Sequence, residues 1–293
     1  MGGSNPLTIN SKVFLALIVP VALFASLLYY GIFWNIYIAT HDYSPLARGE
    51  SFIGLRGFKE LFSSVEFREA FKRTLLWSAL LVVLGNLAGI ALAASIFQLG
   101  SPRKRNILTT FFLYPLSLSL VVVGIIWRWL FDQYRGVNVL LDNIGVNPVW
   151  LEGGNAFWSI VLVSVWIYAG FSAMLYLASF YNVDRSLIES AMIDGAGTLT
   201  ILARVVIPNS IQGFILSTIF LALFAIQMFD LPYAMLYLNP FTETMVLYIF
   251  SRFTSLYLYL ASAAAIVVIA VSAFIVIPYA LYGIRRWILR GSR

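Results

Sequence analysis

Six long apolar runs set the strongest limit on what this chain can become. They lie at about residues 13–38, 74–97, 107–131, 156–181, 209–236 and 257–284 of a 293-residue sequence. Each is long enough to cross a hydrocarbon core roughly 30 Å thick, which takes about 20 helical residues. Lipid offers no hydrogen-bond partner to a bare backbone, so a run in that setting must pair its N–H and C=O groups internally. The expectation is an all-α integral membrane protein with six transmembrane helices. The strand-like composition of 118–126 does not change this, because a membrane barrel needs short alternating segments and the chain has none. Charge agrees: 11% of residues are Asp, Glu, Lys or Arg, against about 25% in a soluble domain.

Several functions fall away on residue types alone. There is no cysteine and one histidine, His41, so no disulfide framework and no thiolate or poly-His metal site is expected. No Ser/His/Asp or Cys/His set exists, nor a pair of carboxylates beside a polar pocket. No G-x-x-x-x-G-K-[ST] phosphate loop is present, so the chain is expected to carry no cofactor and not to hydrolyse ATP itself. The net charge of +6 reads as bases held at the inner membrane face, not as a nucleic-acid footprint, because no basic run is interleaved with stacking aromatics.

The first run is too long for a signal-peptide core and lacks a small-residue cleavage site, so it reads as an uncleaved span. Placing the N-terminus inside puts ten Lys and Arg on the cytoplasmic side and nine outside. The short loop 101–106, with Arg103, Lys104 and Arg105, and the tail 283–293 decide the orientation, because short loops weigh most. The loop after the first span mixes its bases, Arg48 among them, with Asp42, Glu50, Glu60, Glu66 and Glu69, and reads as solvated. The expected layout is a cytoplasmic N-terminus (1–12), one membrane domain (13–284) and a cytoplasmic tail (285–293). Residues 52–71 read as a short interfacial helix and 132–155 as a loop punctuated by Gly and Pro. The Trp127-Arg128-Trp129 group reads as an interface anchor at the outer end of the third span.

Between the fourth and fifth runs lies a polar, glycine-containing stretch, 182–208. Asn182 or Asp184 can cap a helix entering from water. Glu189 to Met192 then form a short helix, Gly195 and Gly197 break it, a second short helix follows through 201–206, and Pro208 opens the next span. Small residues at Ser190, Ala191, Gly195, Ala196 and Gly197 leave room for another protein's side chains. On pattern alone this is either an ordinary loop or a docking site.

The spacing Glu189-Ser190-Ala191, three residues, Gly195, nine residues, Val205-Val206-Ile207-Pro208 resembles the signature of the permease subunits of bacterial and archaeal ABC importers. In that family the pattern is Glu-Ala-Ala, three residues, Gly, nine residues, Ile, any residue, Leu, Pro. Glu189, Ala191, Gly195 and Pro208 match in place, while Ser190, Val205 and Ile207 are conservative departures. Ile193-Asp194-Gly195-Ala196 is similar to the carbohydrate-uptake branch, as are Trp127–Asp132 with Gly136, Asn138 and Trp150, the segment 52–58 with Thr74, and Phe229-Asp230. The loop Leu238-Asn-Pro-Phe-Thr-Glu-Thr244 departs from that branch, which often has Gly-Gly-Pro followed by Thr there. The resemblance implies one of two permease subunits, two cytoplasmic ATP-binding subunits holding ATP and Mg, an extracytoplasmic solute-binding protein and a small solute such as a sugar. It places the coupling contact with an ATPase at Glu189, Ser190, Ala191, Asp194, Gly195, Ala196 and Pro208, in a prokaryotic cell membrane.

Three polar residues in the spans are candidates for a solute path. Asp230 is an ionisable group inside an apolar run, which costs about 2.5–3.5 kcal/mol at a helix centre. Gln227 lies three positions before it and would share its helix face. Asn86 stands beside Gly85 and Gly89, where the small residues also favour close helix contact; it reads as path residue or helix–helix glue. Two alternative functions stay open: the same class of importer for another solute such as a glycerol phosphate, or an ATP-independent channel or secondary transporter. A phosphate substrate should leave a base deep within the spans, and none is seen there, Arg128 standing at the outer end of the third.

Overall fold

The computed structural model describes residues 11–43 and 51–291, of which 11–15, 279–280 and 282–291 are described by their helical backbone alone. Residues 1–10 of the expected cytoplasmic segment, Arg48 and Glu50 of the charged loop, and Ser292 and Arg293 lie outside the described residues. All regular structure among those described is helical, apart from one isolated bridge between His41 and Phe52.

The helices are α1 (Ser11–Thr40), α2 (Arg56–Ser63), α3 (Val65–Phe97), α4 (Pro102–Ser117), α5 (Leu120–Leu130), α6 (Val137–Asp142), α7 (Asn155–Tyr181), α8 (Arg185–Ile193), α9 (Thr198–Ile201), a π-helical turn (Leu202–Val206), α10 (Ile207–Asn209), α11 (Ile211–Ile226), α12 (Asp230–Leu236), α13 (Met245–Thr254) and α14 (Leu258–Gly291). Four stretches, within α1, α3, α7 and α14, are long and apolar enough to cross a membrane. The count reaches six if two bent pairs, α4 with α5 and Thr198–Asn209 with α11, each make one crossing.

Those bent pairs correct the expectation of continuous spans at 107–131 and 209–236. Between α4 and α5 the path turns by 95°, because Leu118 (φ −80°, ψ 149°) and Ser119 (φ −60°, ψ 130°) are extended. The fifth run breaks again at Gln227–Phe229, and Asp230 starts the separate helix α12. Pro232 gives the reason: it has no N–H to offer the Met228 carbonyl four residues back. The Thr244 hydroxyl donates to that carbonyl instead, at 3.3 Å, while its oxygen accepts from the Leu247 N–H and caps α13. Gly124 of α5 lies against Ala234 and the Leu231 carbonyl of α12, so the two displaced short helices pack on each other.

Two other expectations are corrected. The segment 52–71 is not one interfacial helix: Ser64 stops α2 and caps α3, accepting the Phe67 N–H at 3.2 Å and donating to Glu66 at 2.6 Å. The second span helix therefore begins at Val65, nine residues earlier than its apolar run. The loop 132–155 contains the one-turn-and-a-half helix α6, whose Asn138 ties the loop together by donating to the Gln133 and Pro148 carbonyls and accepting from Trp150 Nε1 at 2.7 Å.

α3 and α7 form the spine and run parallel, for Trp77 meets Phe157 at one end and Phe97 meets Phe180 at the other. Gly89 makes this possible, since a Cβ there would strike Ser172. Gly170 does the same for α4, resting on the Phe112 carbonyl. Small residues of this kind are what lets helices associate where lipid removes the hydrophobic drive. α11 crosses the spine, and α14 packs against α1 with α2 wedged at their far end, where the Tyr259 hydroxyl donates to Glu60 at 2.8 Å. α1 climbs from the end where α7 finishes and α14 returns toward it, so both lie with their terminal ends on the side of the 182–208 segment.

At the opposite end, Glu243 is mostly covered between α3 and α13, and Arg73 donates to its backbone carbonyl at 3.3 Å. Burial raises its carboxyl pKa, against the opposing pull of Arg73 and Arg252. A raised acid favours the fold while protonated and opposes it once ionised. Glu243→Gln is therefore expected to raise the thermal midpoint at neutral pH. The gain should shrink as pH falls through the folded value and vanish below the ordinary 4.5, which a series of melting curves in detergent checks.

Candidate functional site: an exposed elbow and a buried polar joint

The segment between α7 and α11 is an elbow. Asp184 caps α8, its carboxylate accepting the Ser186 N–H at 2.9 Å, and this bond lowers its pKa. Ser190 sends its hydroxyl back to the Ser186 carbonyl at 2.8 Å. At the other end of α8 the Gly195 N–H bonds the Met192 carbonyl at 3.0 Å and the Ala196 N–H bonds the Ala191 carbonyl at 2.9 Å. That pair of bonds is a Schellman closure, which needs a left-handed residue just past the helix. Gly195 supplies it with φ +77°. Gly197 then extends, α9 follows, and the chain widens into the π turn where a regular second helix was expected. Pro208 lies two residues past that turn; its ring would press on the carbonyl four residues back in a regular helix, and the wider turn relieves the crowding.

The elbow has two faces. Ile188, Ala191 and Ala196 turn inward and pack with Ile201, Leu202 and Val206 against Tyr176, Phe180 and Ala93 of the spine. Glu189, Ser190, Asp194, Gly195 and Pro208 are exposed, and α8 has no buried residue. Beside them stand four apolar side chains without cover from this chain: Ile193 (85% exposed), Leu199 (71%), Met192 and Leu187. The sequence alone marked none of these four as an exposed contact, although Met192 and Ile193 fall within the helix and the motif it singled out. Their signal was available, as apolar residues recurring within a stretch that is otherwise too polar for the membrane.

The polar residues of the spans part company. Asn86 is 5% exposed and held between three helices: it donates to the Thr218 hydroxyl at 3.2 Å and to the Val82 carbonyl, and accepts the Tyr176 hydroxyl at 2.7 Å. Ser172 and Ser217 add a 2.7 Å bond between α7 and α11. This is a joint, with every polar atom of the Asn86 side chain engaged. Gln227 and Asp230 are exposed, but they do not share a helix face, because α11 ends at Gln227 and α12 begins at Asp230. Asn86→Leu would strand the Tyr176 hydroxyl in an apolar core. The expected loss is about 1–2 kcal/mol, read as a lowered unfolding midpoint in detergent, with Thr218→Val costing less because it removes one bond of the three.

Among the described residues no group of three or more His, Cys, Asp or Glu side chains could hold a metal. What the fold presents is a multi-pass helical membrane protein with a polar elbow at one end. The chain belongs to the family of inner membrane components of binding-protein-dependent transport systems, whose profile matches residues 85–287. The glucose import system permease protein GlcT of Saccharolobus solfataricus is 39% identical over 94% of this chain and 97% of its own length. The xylose/arabinose import permease protein XacH of Haloferax volcanii is 28% identical over 74% of this chain and 69% of its own. A chain of a solved bacterial ABC transporter involved in import of the acidic polysaccharide alginate shares the fold, with a TM-score of 0.78 at 24% identity, covering 94% of this chain and 96% of that one.

Proposed function

We propose that this chain forms half of the solute path of an ATP-driven sugar importer and is driven through its elbow by a separate ATP-binding subunit. The observation that carries the reading is the uncovered apolar group Leu187, Met192, Ile193 and Leu199 on a segment that must lie in water. Apolar patches rimmed by polar residues mark protein contacts, and here Glu189, Ser190 and Asp194 form the rim. A second permease chain, two ATP-binding subunits carrying ATP and Mg, and an extracytoplasmic solute-binding protein complete the assembly. The elbow and both chain ends then face the cytoplasm of a prokaryotic cell. Sugar as the cargo rests on the import permeases GlcT and XacH.

The mechanism is alternating access. ATP binding draws the partner pair together and displaces the elbow. Ile188, Ala191 and Ala196 pass that displacement to the π turn and so to α11 and α7, which are joined through Asn86, Tyr176, Ser172 and Ser217. No covalent step takes place on this chain. The test is to solubilise the assembly gently, identify what migrates with this chain, and reconstitute it in vesicles. An ATP-binding subunit in the complex, and sugar uptake that requires both ATP and the binding protein, are expected. Uptake by this chain without ATP would overturn the reading.

A further inference from the structure

We propose that the end of α5 carries a binding site for a phosphate-bearing lipid headgroup. The site lies at the end of the molecule opposite the elbow, since it adjoins the start of α7 and the elbow follows its end. Two cavities, of about 560 and 460 Å³, share the wall formed by Trp129, Asp132 and Arg135. They differ in character. The first is polar and holds Arg128, Gln133 and Glu152; the second is a slot floored by Ile126, Leu130 and Gly136. One ligand with a charged head and an apolar tail fits such a pair.

The charges support a phosphate in the polar half. Neither guanidinium, Arg128 or Arg135, has an ion-pair or hydrogen-bond partner among the described residues. Guanidinium groups match phosphate oxygens two bonds at a time. Asp132 is already engaged, accepting the Tyr134 N–H at 3.0 Å. With Glu152 it brings the lining to zero net charge, which suits a phosphodiester carrying a neighbouring cation or hydroxyls and disfavours free phosphate. The membrane supports the tail. Val121, Ile125 and Trp129 recur at helical spacing on α5 with Val122 and Ile126 beside them, all exposed, and Trp129 at 72% ends the row. Tryptophan and arginine at the end of such a row sit at headgroup level.

Binding of dioctanoyl phosphatidylglycerol and dioctanoyl phosphatidylethanolamine to the full chain in detergent, followed by native mass spectrometry, tests the site. Arg128→Gln/Arg135→Gln is expected to weaken binding about tenfold or more. Arg56→Gln, which alters an arginine paired with Glu60 at the same end, serves as the control and should bind as the parent does. Unchanged helical circular dichroism shows that the double variant is folded, and Arg128→Lys/Arg135→Lys should restore part of the affinity. Dioctanoylglycerol, which lacks the phosphate, is expected not to bind there. Equal binding of dioctanoylglycerol, an unchanged affinity in the double variant, or displacement of the lipid by inorganic phosphate would each overturn the assignment.

Discussion

Gly170→Ala is expected to be among the most damaging single-methyl changes in this chain, lowering stability by about 3 kcal/mol. The added Cβ would fall on the backbone carbonyl of Phe112, and a carbonyl in a helix cannot rotate out of the way as a side chain can. α4 must move off α7, and the bend that α4 makes into α5 moves with it. Gly31→Ala is the matched control, because a Cβ at Gly31, within the first span, meets nothing within 4 Å. There the change should be neutral or slightly favourable, by up to about 1 kcal/mol from helix propensity. Thermal unfolding of the two purified variants in the same detergent checks the contrast. Similar midpoints for both would mean that the α4–α7 contact is not as close as described.

Gly195→Val is expected to leave the chain folded and to stop transport. Space is not the issue, as a Cβ at Gly195 meets nothing within 4 Å. The backbone is: φ +77° costs an L residue about 1–2 kcal/mol, and a β-branched one is the least suited to it. A strand-prone valine would open the Schellman closure and swing Ile193 and Asp194 away from their places. The elbow would unseat while the spine, which makes its own contacts, stays. Transport and solute-stimulated ATP hydrolysis should fall by about two orders of magnitude, with the melting midpoint nearly unchanged. Gly195→Asn separates strain from bulk, because asparagine tolerates the left-handed region and should keep much of the activity. Equal loss in both variants would point to the partner's pocket and not to the backbone as the reason for glycine.

Much of the fold was legible because its physics is local. A long apolar run in lipid has to be a helix, and α1, α3, α7 and α14 follow from that alone. The break at Gln227–Phe229 was not legible, because it depends on a group distant in sequence. Pro232 weakens the fifth run, but the freed Met228 carbonyl is satisfied only by Thr244, sixteen residues away. The early start of α3 depends on Ser64 and Glu66, a capping pattern hidden by charges that made the region look like an independent surface helix. The elbow was legible through fixed spacing, and the geometry explains why Gly195 is required. Its apolar contacts were missed because four scattered residues show no periodicity. Asn86 could be read either as path or as glue from sequence, and only its two partners on neighbouring helices, Tyr176 and Thr218, separate the two.

The measurement that bears most directly on the central claim uses the absence of cysteine from this sequence. Ile193→Cys places the sole thiol of the chain at the most exposed apolar position of the elbow. Tyr134→Cys places it instead on the lipid-site end. A thiol-reactive cross-linker applied to the assembled complex should join the Ile193→Cys chain to an ATP-binding subunit, with a yield that changes when ATP is added. The Tyr134→Cys chain should give no such product. Cross-linking to an ATP-binding subunit from position 134 and not from 193, or full transport by a complex in which position 193 is never within reach of one, would contradict the account.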